Sequence, residues 1–170
     1  VIAAVDDYQD MLRITVASAG NDHRLGANEA PPAIVSIFLG DELTEIIESI
    51  VNASRYETHE REAMRLGVHI LPKFPKDTTD RNRTSPFAFT GNKFEFRMLG
   101  SSNTISSANV MLNTAVAEVL RQFADVLEGA DNFEAALHEL IKKTVSAHKR
   151  IIFNGNGYDD EWVKEAEKRG

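Results

Sequence analysis

The sequence has no cysteine, so it forms no disulfide and offers no thiolate to a metal. No apolar run approaches the length of a membrane span, and no signal-peptide pattern opens the chain. A cytoplasmic location with no membrane partner is therefore the default expectation. Basic residues are outnumbered, 19 Lys and Arg against 26 Asp and Glu, for a net charge of −7. That balance argues against non-specific nucleic-acid binding, which needs basic surface. What is present is ordinary for a globular protein: 42% hydrophobic and 26% charged residues in a chain of 170. This is enough for one domain with a core. The chain begins at Val1 and runs straight into helical pattern, as expected of a piece of a longer protein.

The most informative stretch runs from Asp80 to Met98. Its second half alternates, with Phe94, Phe96 and Met98 on one face of an extended chain and Lys93, Glu95 and Arg97 on the other. Phe87 and Phe89 begin a similar run before Thr90-Gly91-Asn92. Gly between two apolar runs supplies the positive φ of a hairpin turn. The pattern predicts two antiparallel strands with aromatic packing on one side and a carboxylate beside cations on the other. An isolated Lys-x-Glu-x-Arg strand is most often a solvated face with a weak ion pair. Arg81 and Arg83 just upstream raise the local cation count to four in an otherwise acidic chain.

Elsewhere the periodicity predicts helix over residues 3–18, a polar loop over 20–32, and a buried strand from Ala33 to Leu39. Asp41 is a plausible cap for a helix carrying Leu43, Ile46, Ile47 and Ile50. Residues 52–80 are polar. His59 and His69 there are ten apart and match no ligand pair on one helix face. A long helix follows from about 104 to Leu127, apolar nearly all round between Ala108 and Leu120 and so expected to be buried. Asp131-Asn132-Phe133-Glu134 fits a capping box for the next helix, giving an antiparallel helical hairpin. Asp159 caps a last helix packing through Trp162, Val163 and Ala166. The fold class expected is α+β: antiparallel strands packed with long helices and a C-terminal helical hairpin. His138 and His148 receive no role.

Asn82-Arg83-Thr84 followed by Phe94-Glu95-Phe96-Arg97 resembles the paired arginine and glutamate segments of the glutamine synthetase family. The wording DRNRTSPFAFTGNKFEFRMLGSS is similar to its long-chain type III branch. His23-Arg24-Leu25 with Glu29-Ala30-Pro31 resembles a second family segment, in the expected order. The resemblance implies the later half of a catalytic domain over 1–170, with an insertion over 41–80 and a helical segment over 104–169. It implies ATP-dependent ligation of ammonia to glutamate through γ-glutamyl phosphate, with Mg²⁺ or Mn²⁺, in a homo-oligomer of a longer chain.

By the same resemblance, Glu95 is a metal ligand and Arg97 holds substrate. Arg83 contacts the transferred phosphoryl group, as a catalytic and nucleotide-binding residue. Arg24 holds the glutamate carboxylate. Glu29 is a catalytic residue on a flap that closes over glutamate, and Lys93 stands near the nucleotide. The chain departs from the compact branches at Asn28, at Ala88 (where a second arginine is usual) and at Met98-Leu99-Gly100. The other metal carboxylates of the family do not appear in it. The rival reading, from periodicity alone, is a non-catalytic helical assembly module.

Overall fold

A computed structural model describes residues 1–24, 35–56, 63–64, 74–75, 85–98, 100, 102–155 and 159–169. The architecture is α+β. Helices α1 (Ile2–Asp7) and α2 (Gln9–Ile14) share the amphipathic stripe read over residues 3–18. The stripe bends at Tyr8, whose φ of −118° and ψ of 21° leave the helical region. Hydrogen bonds from Tyr8 N to Ala4 O and from Leu12 N to Tyr8 O carry the ladder across the bend. A third short helix, α3 (Ala19–Arg24), occupies the start of the segment read as a loop. Ser18 accepts from the Asn21 N–H at 3.2 Å, a serine cap that gives a polar hexapeptide a helical start.

The central sheet has the order β1 (Ile37–Phe38), β4 (Phe87–Phe89), β5 (Phe94–Phe96). The β4–β5 pair is the expected antiparallel hairpin, with Phe87 opposite Phe96, Ala88 opposite Glu95 and Phe89 opposite Phe94. The β1–β4 pair is parallel, aligning Ile37 with Phe87 and Phe38 with Ala88. The last segment of the chain returns to the free edge of β1. Ile152 bridges Ile37, and Phe153 N donates to Ile37 O at 2.8 Å. Residues 52–80 carry a second, two-stranded sheet, β2 (Ala63–Met64) against β3 (Phe74–Pro75), that their polar composition did not announce.

One face of the central sheet builds the main core. Val35, Ile37, Leu39 and Phe87 pack with Val5, Leu12 and Ile151. Helix α1 is covered on both sides: Val5 meets the sheet core, while Ala3 and Ala4 meet Ala115 and Val119 of α5 (Ser106–Leu127). Alanine on α1 lets the two helix backbones approach closely. Contrary to expectation, α5 is not buried all round. Val110 and Leu120 are 66% and 58% exposed on the face opposite Ala115 and Val119.

Helix α4 (Asp41–Val51) starts as expected, but its N-cap is Gly40, at φ 83°, rather than Asp41. Helix α6 (Phe133–His148) is capped by Asn132, whose side chain accepts from Ala135 N, rather than by Asp131. A 3-10 turn (Lys149–Ile151) leads from α6 to the edge of β1, and α7 (Asp160–Arg169) closes the described chain. Trp162 of α7 is buried and stacks on Phe153 with ring centroids 3.9 Å apart. No helix among the described residues is long and apolar enough to cross a membrane.

Candidate functional site

The hairpin positions the candidate side chains. Gly91, at φ +88°, makes the turn, and Thr90 N donates to Lys93 O at 2.9 Å to close it. Phe94 lies 5.4 Å from Phe87 and 5.1 Å from Phe89 between ring centroids, and Phe96 lies 5.8 Å from Phe87. These aromatic contacts fix the strand's orientation, since a slip of one residue would turn every phenylalanine outward. Lys93, Glu95 and Arg97 therefore share the other face, as the alternation predicted.

On that face the Lys93 ammonium lies 3.3 Å from a Glu95 carboxylate oxygen. Lys93 is 65% exposed and Glu95 only 24% exposed, so the carboxylate is the fixed partner and the ammonium the adaptable one. Arg97 extends the ladder, its N–H donating to Pro86 O at 2.8 Å. Its guanidinium donates to the carbonyl of Ser85 at 3.3 Å. Ser85 is two residues past Arg83, so Arg97 contacts the chain immediately after the arginine segment. Ala88, which stands where a second arginine was expected, is fully buried in the middle strand directly opposite Glu95. A long cationic side chain has no solvent to reach from there.

Of the other candidates, Arg24 is the last residue of α3. Glu29 and Arg83 lie outside the described residues, as do Arg81, the end of the expected flap, His59 and His69. Convergence of Arg24 and Arg83 on Glu95 is thus not part of the described geometry.

One charged cluster was missed in the sequence. Asp6, on α1, is 3% exposed and accepts from Arg150 Nε at 2.9 and 3.1 Å. His148 Nδ1 lies 2.9 Å from Asp6 and 3.6 Å from Asp7. The two carboxylates and the imidazole are close enough together to suggest a metal. The Arg150 guanidinium already covers both Asp6 oxygens, so the cluster is an ion-pair junction between α1 and the end of α6.

The sequence comparisons agree with the motif reading. Residues 136–170 match the family model described as glutamine synthetase C-terminal domain. A type-3 glutamine synthetase of Dictyostelium discoideum is 49% identical over 173 residues, covering all of this chain and 24% of the relative. Over its whole length the chain is similar to glutamine synthetases. Glutamine synthetases of Butyrivibrio fibrisolvens and Bacteroides fragilis (strain YCH46) are 48% and 45% identical, again over the whole chain and 24% of each relative. The chain thus spans about a quarter of the length of the curated glutamine synthetases it matches. The family model covers α6 from its fourth residue and continues through α7, whereas the motifs that carried the resemblance lie earlier, in and just before the hairpin and from the end of α3 onward.

Proposed function

We propose that this chain supplies the arginine- and glutamate-bearing part of a glutamine synthetase active site, as the C-terminal part of a catalytic domain over residues 1–170. Residues 41–80 are an insertion in that domain and 104–169 its helical segment. The reaction is ATP-dependent ligation of ammonia to glutamate through γ-glutamyl phosphate, in a cytoplasmic homo-oligomer of the longer parent chain. The observation that carries the reading is the shared face of Lys93, Glu95 and Arg97, with the Arg97 guanidinium on the carbonyl of Ser85.

The roles follow from charge. Phosphoryl and acyl transfer develop negative charge on oxygen, which fixed cations stabilise. Arg83 contacts the transferred phosphoryl group, and Arg97 and Arg24 hold glutamate. Glu29 closes over bound glutamate and handles ammonium. Lys93 is exposed enough to leave Glu95 for a nucleotide phosphate. The Glu95 carboxylate is a hard oxygen donor of the kind Mg²⁺ or Mn²⁺ takes, and such an ion supplies charge neutralisation when bound. One carboxylate is an incomplete donor set, so further ligands come from other parts of the parent chain. The 170-residue chain alone therefore makes no glutamine.

The alternative is a helical assembly module without catalysis, favoured by the exposed Val110 and Leu120 on α5. Steady-state kinetics of Arg83→Ala in the full-length parent separate the two. The enzyme reading expects turnover to fall about 10²–10³-fold, well beyond any loss of glutamate binding. Unchanged turnover would reject it.

A further inference from the structure

We propose that the Lys93 ammonium is a resident counter-ion that competes with the divalent metal for Glu95, so that metal binding releases it to a nucleotide phosphate and couples the two ligands. The inference rests on the reading above, in which Glu95 is a metal ligand and Lys93 a nucleotide contact. It adds to that reading an exchange of partners at one side chain.

The two ends of the pair are held differently. Glu95 lies in the middle of β5, opposite the fully buried Ala88, and its side chain is 24% exposed. Lys93 stands at the hairpin turn, one residue before β5. Its backbone is fixed there, since its carbonyl accepts from Thr90 N at 2.9 Å and from Thr90 Oγ1 at 3.4 Å. Its side chain is 65% exposed. A firmly held base thus carries a long stem whose charged head stays in solvent. Residues two apart on a strand share a face, so the ammonium covers the carboxylate on the side that carries Glu95 and Arg97.

The contact suits exchange better than permanence. The Lys93–Glu95 separation of 3.3 Å exceeds the roughly 2.7–2.9 Å of a tight charge-assisted hydrogen bond. An exposed ion pair shifts an equilibrium by no more than about fivefold. Lysine is also a point charge, without the planar fork that locks arginine onto a carboxylate. Two cations at contact distance on one carboxylate repel each other strongly. An ion that takes Glu95 therefore expels Lys93, and nucleotide phosphates give the expelled ammonium a new anion. The effect is reciprocal: whatever factor the metal adds to nucleotide affinity through Lys93, the nucleotide adds to metal affinity.

The test uses the full-length parent enzyme, with Mn²⁺ binding followed by electron paramagnetic resonance and ADP binding by calorimetry, so neither readout depends on turnover. Lys93→Met removes the competitor and should tighten Mn²⁺ binding in the absence of nucleotide by about two- to fivefold. The same variant should weaken ADP binding more at saturating Mn²⁺ than without metal, by at least that factor. Lys93→Arg keeps the charge and should bind Mn²⁺ no more tightly than wild type. Mn²⁺ affinity unchanged in Lys93→Met, equal ADP losses with and without metal, or a Lys93→Arg variant that tightens Mn²⁺ as Lys93→Met does, would each overturn the exchange. Glu95→Gln measured alongside separates the two levels. Weakened Mn²⁺ binding there with an inert Lys93→Met overturns the exchange alone; unchanged Mn²⁺ binding in Glu95→Gln overturns the underlying reading as well.

Discussion

Asp6 and Arg150 lie 144 positions apart in the sequence and meet at 2.9 Å, Nε to carboxylate. The carboxylate is almost wholly buried and the guanidinium is 60% exposed. Asp6→Ala removes two charge-assisted bonds and frees the His148 ring, yet leaves no buried cation alone. The expected loss is about 1–3 kcal/mol in urea unfolding of the chain. Asp7→Ala, at a half-exposed carboxylate 3.6 Å from His148, should stay within about 0.5 kcal/mol. Equal effects at the two positions would reject the junction.

Gly91 turns the hairpin at φ +88°, and a Cβ there would meet no atom within 4 Å. Gly91→Ala is therefore a test of backbone conformation alone. A left-handed alanine costs about 1 kcal/mol. Exchange of the Thr90 and Arg97 amide protons, which are bonded to Lys93 O and Pro86 O, should accelerate about fivefold, which is the population change that energy implies. Unaltered exchange would mean that the turn tolerates a side chain and that the strands, not the glycine, hold the register.

Asn154 is a second staple. Its side-chain oxygen accepts from Leu39 N and Gly40 N, each at 3.0 Å, and its amide donates to Thr44 Oγ1 at 2.7 Å. These bonds hold the exit of β1 to the start of α4. Asn154→Ala should lower stability by about 1–3 kcal/mol. Asn154→Asp keeps the acceptor and loses the donor, so its thermal midpoint should fall between wild type and Asn154→Ala. A midpoint for Asn154→Ala matching wild type would show that the amide is dispensable.

Glu118 on α5 is held by Arg121 and Gln122, and the Arg121 hydrogen bonds push its carboxyl from 4.5 down to about 2. Because the folded value is the lower one, this interaction favours the fold fully above pH 4.5. The contribution disappears as pH falls toward about 2. Carbon-13 titration of the Glu118 carboxyl should show the low midpoint, and Arg121→Ala should return it toward the ordinary value. A native midpoint near 4.5 would reject the pairing.

The hairpin was legible because a two-residue period, a glycine turn and four phenylalanines all pointed the same way. The long helices were legible from their 3.6-residue stripe, though the stripe did not reveal which face would be left open at Val110 and Leu120. Helix α3 has no apolar stripe. Its hold is polar, through the Ser18 cap and the buried Asn21, which donates to Val16 O at 2.8 Å. Ser18 was the available sign. The Asp6 junction, the Ser36–Ser85 hydrogen bond and the return of Ile152 to Ile37 depend on residues brought together only by the fold, and no local pattern carries them. Among the candidate site residues, the alternation placed Lys93, Glu95 and Arg97 on the observed face, and their proposed chemistry came from resemblance.

The return of the chain's end to β1 also sets an order of assembly. Ile37 and Phe38 find one neighbour when the hairpin is made, but the other edge waits for Ile152 and Phe153. The Asn154 amide that secures Leu39 lies 115 residues downstream of it. Contacts of such long sequence separation form slowly and only after the intervening chain exists. During synthesis, Ile152 and Phe153 reach the edge of β1 only after the ribosome has released the whole of α5 and α6. An open strand edge is where chains pair wrongly with one another. Any stall between residues 56 and 151 leaves a nascent chain with that edge unguarded, so holding chaperones have their greatest value in this interval of translation.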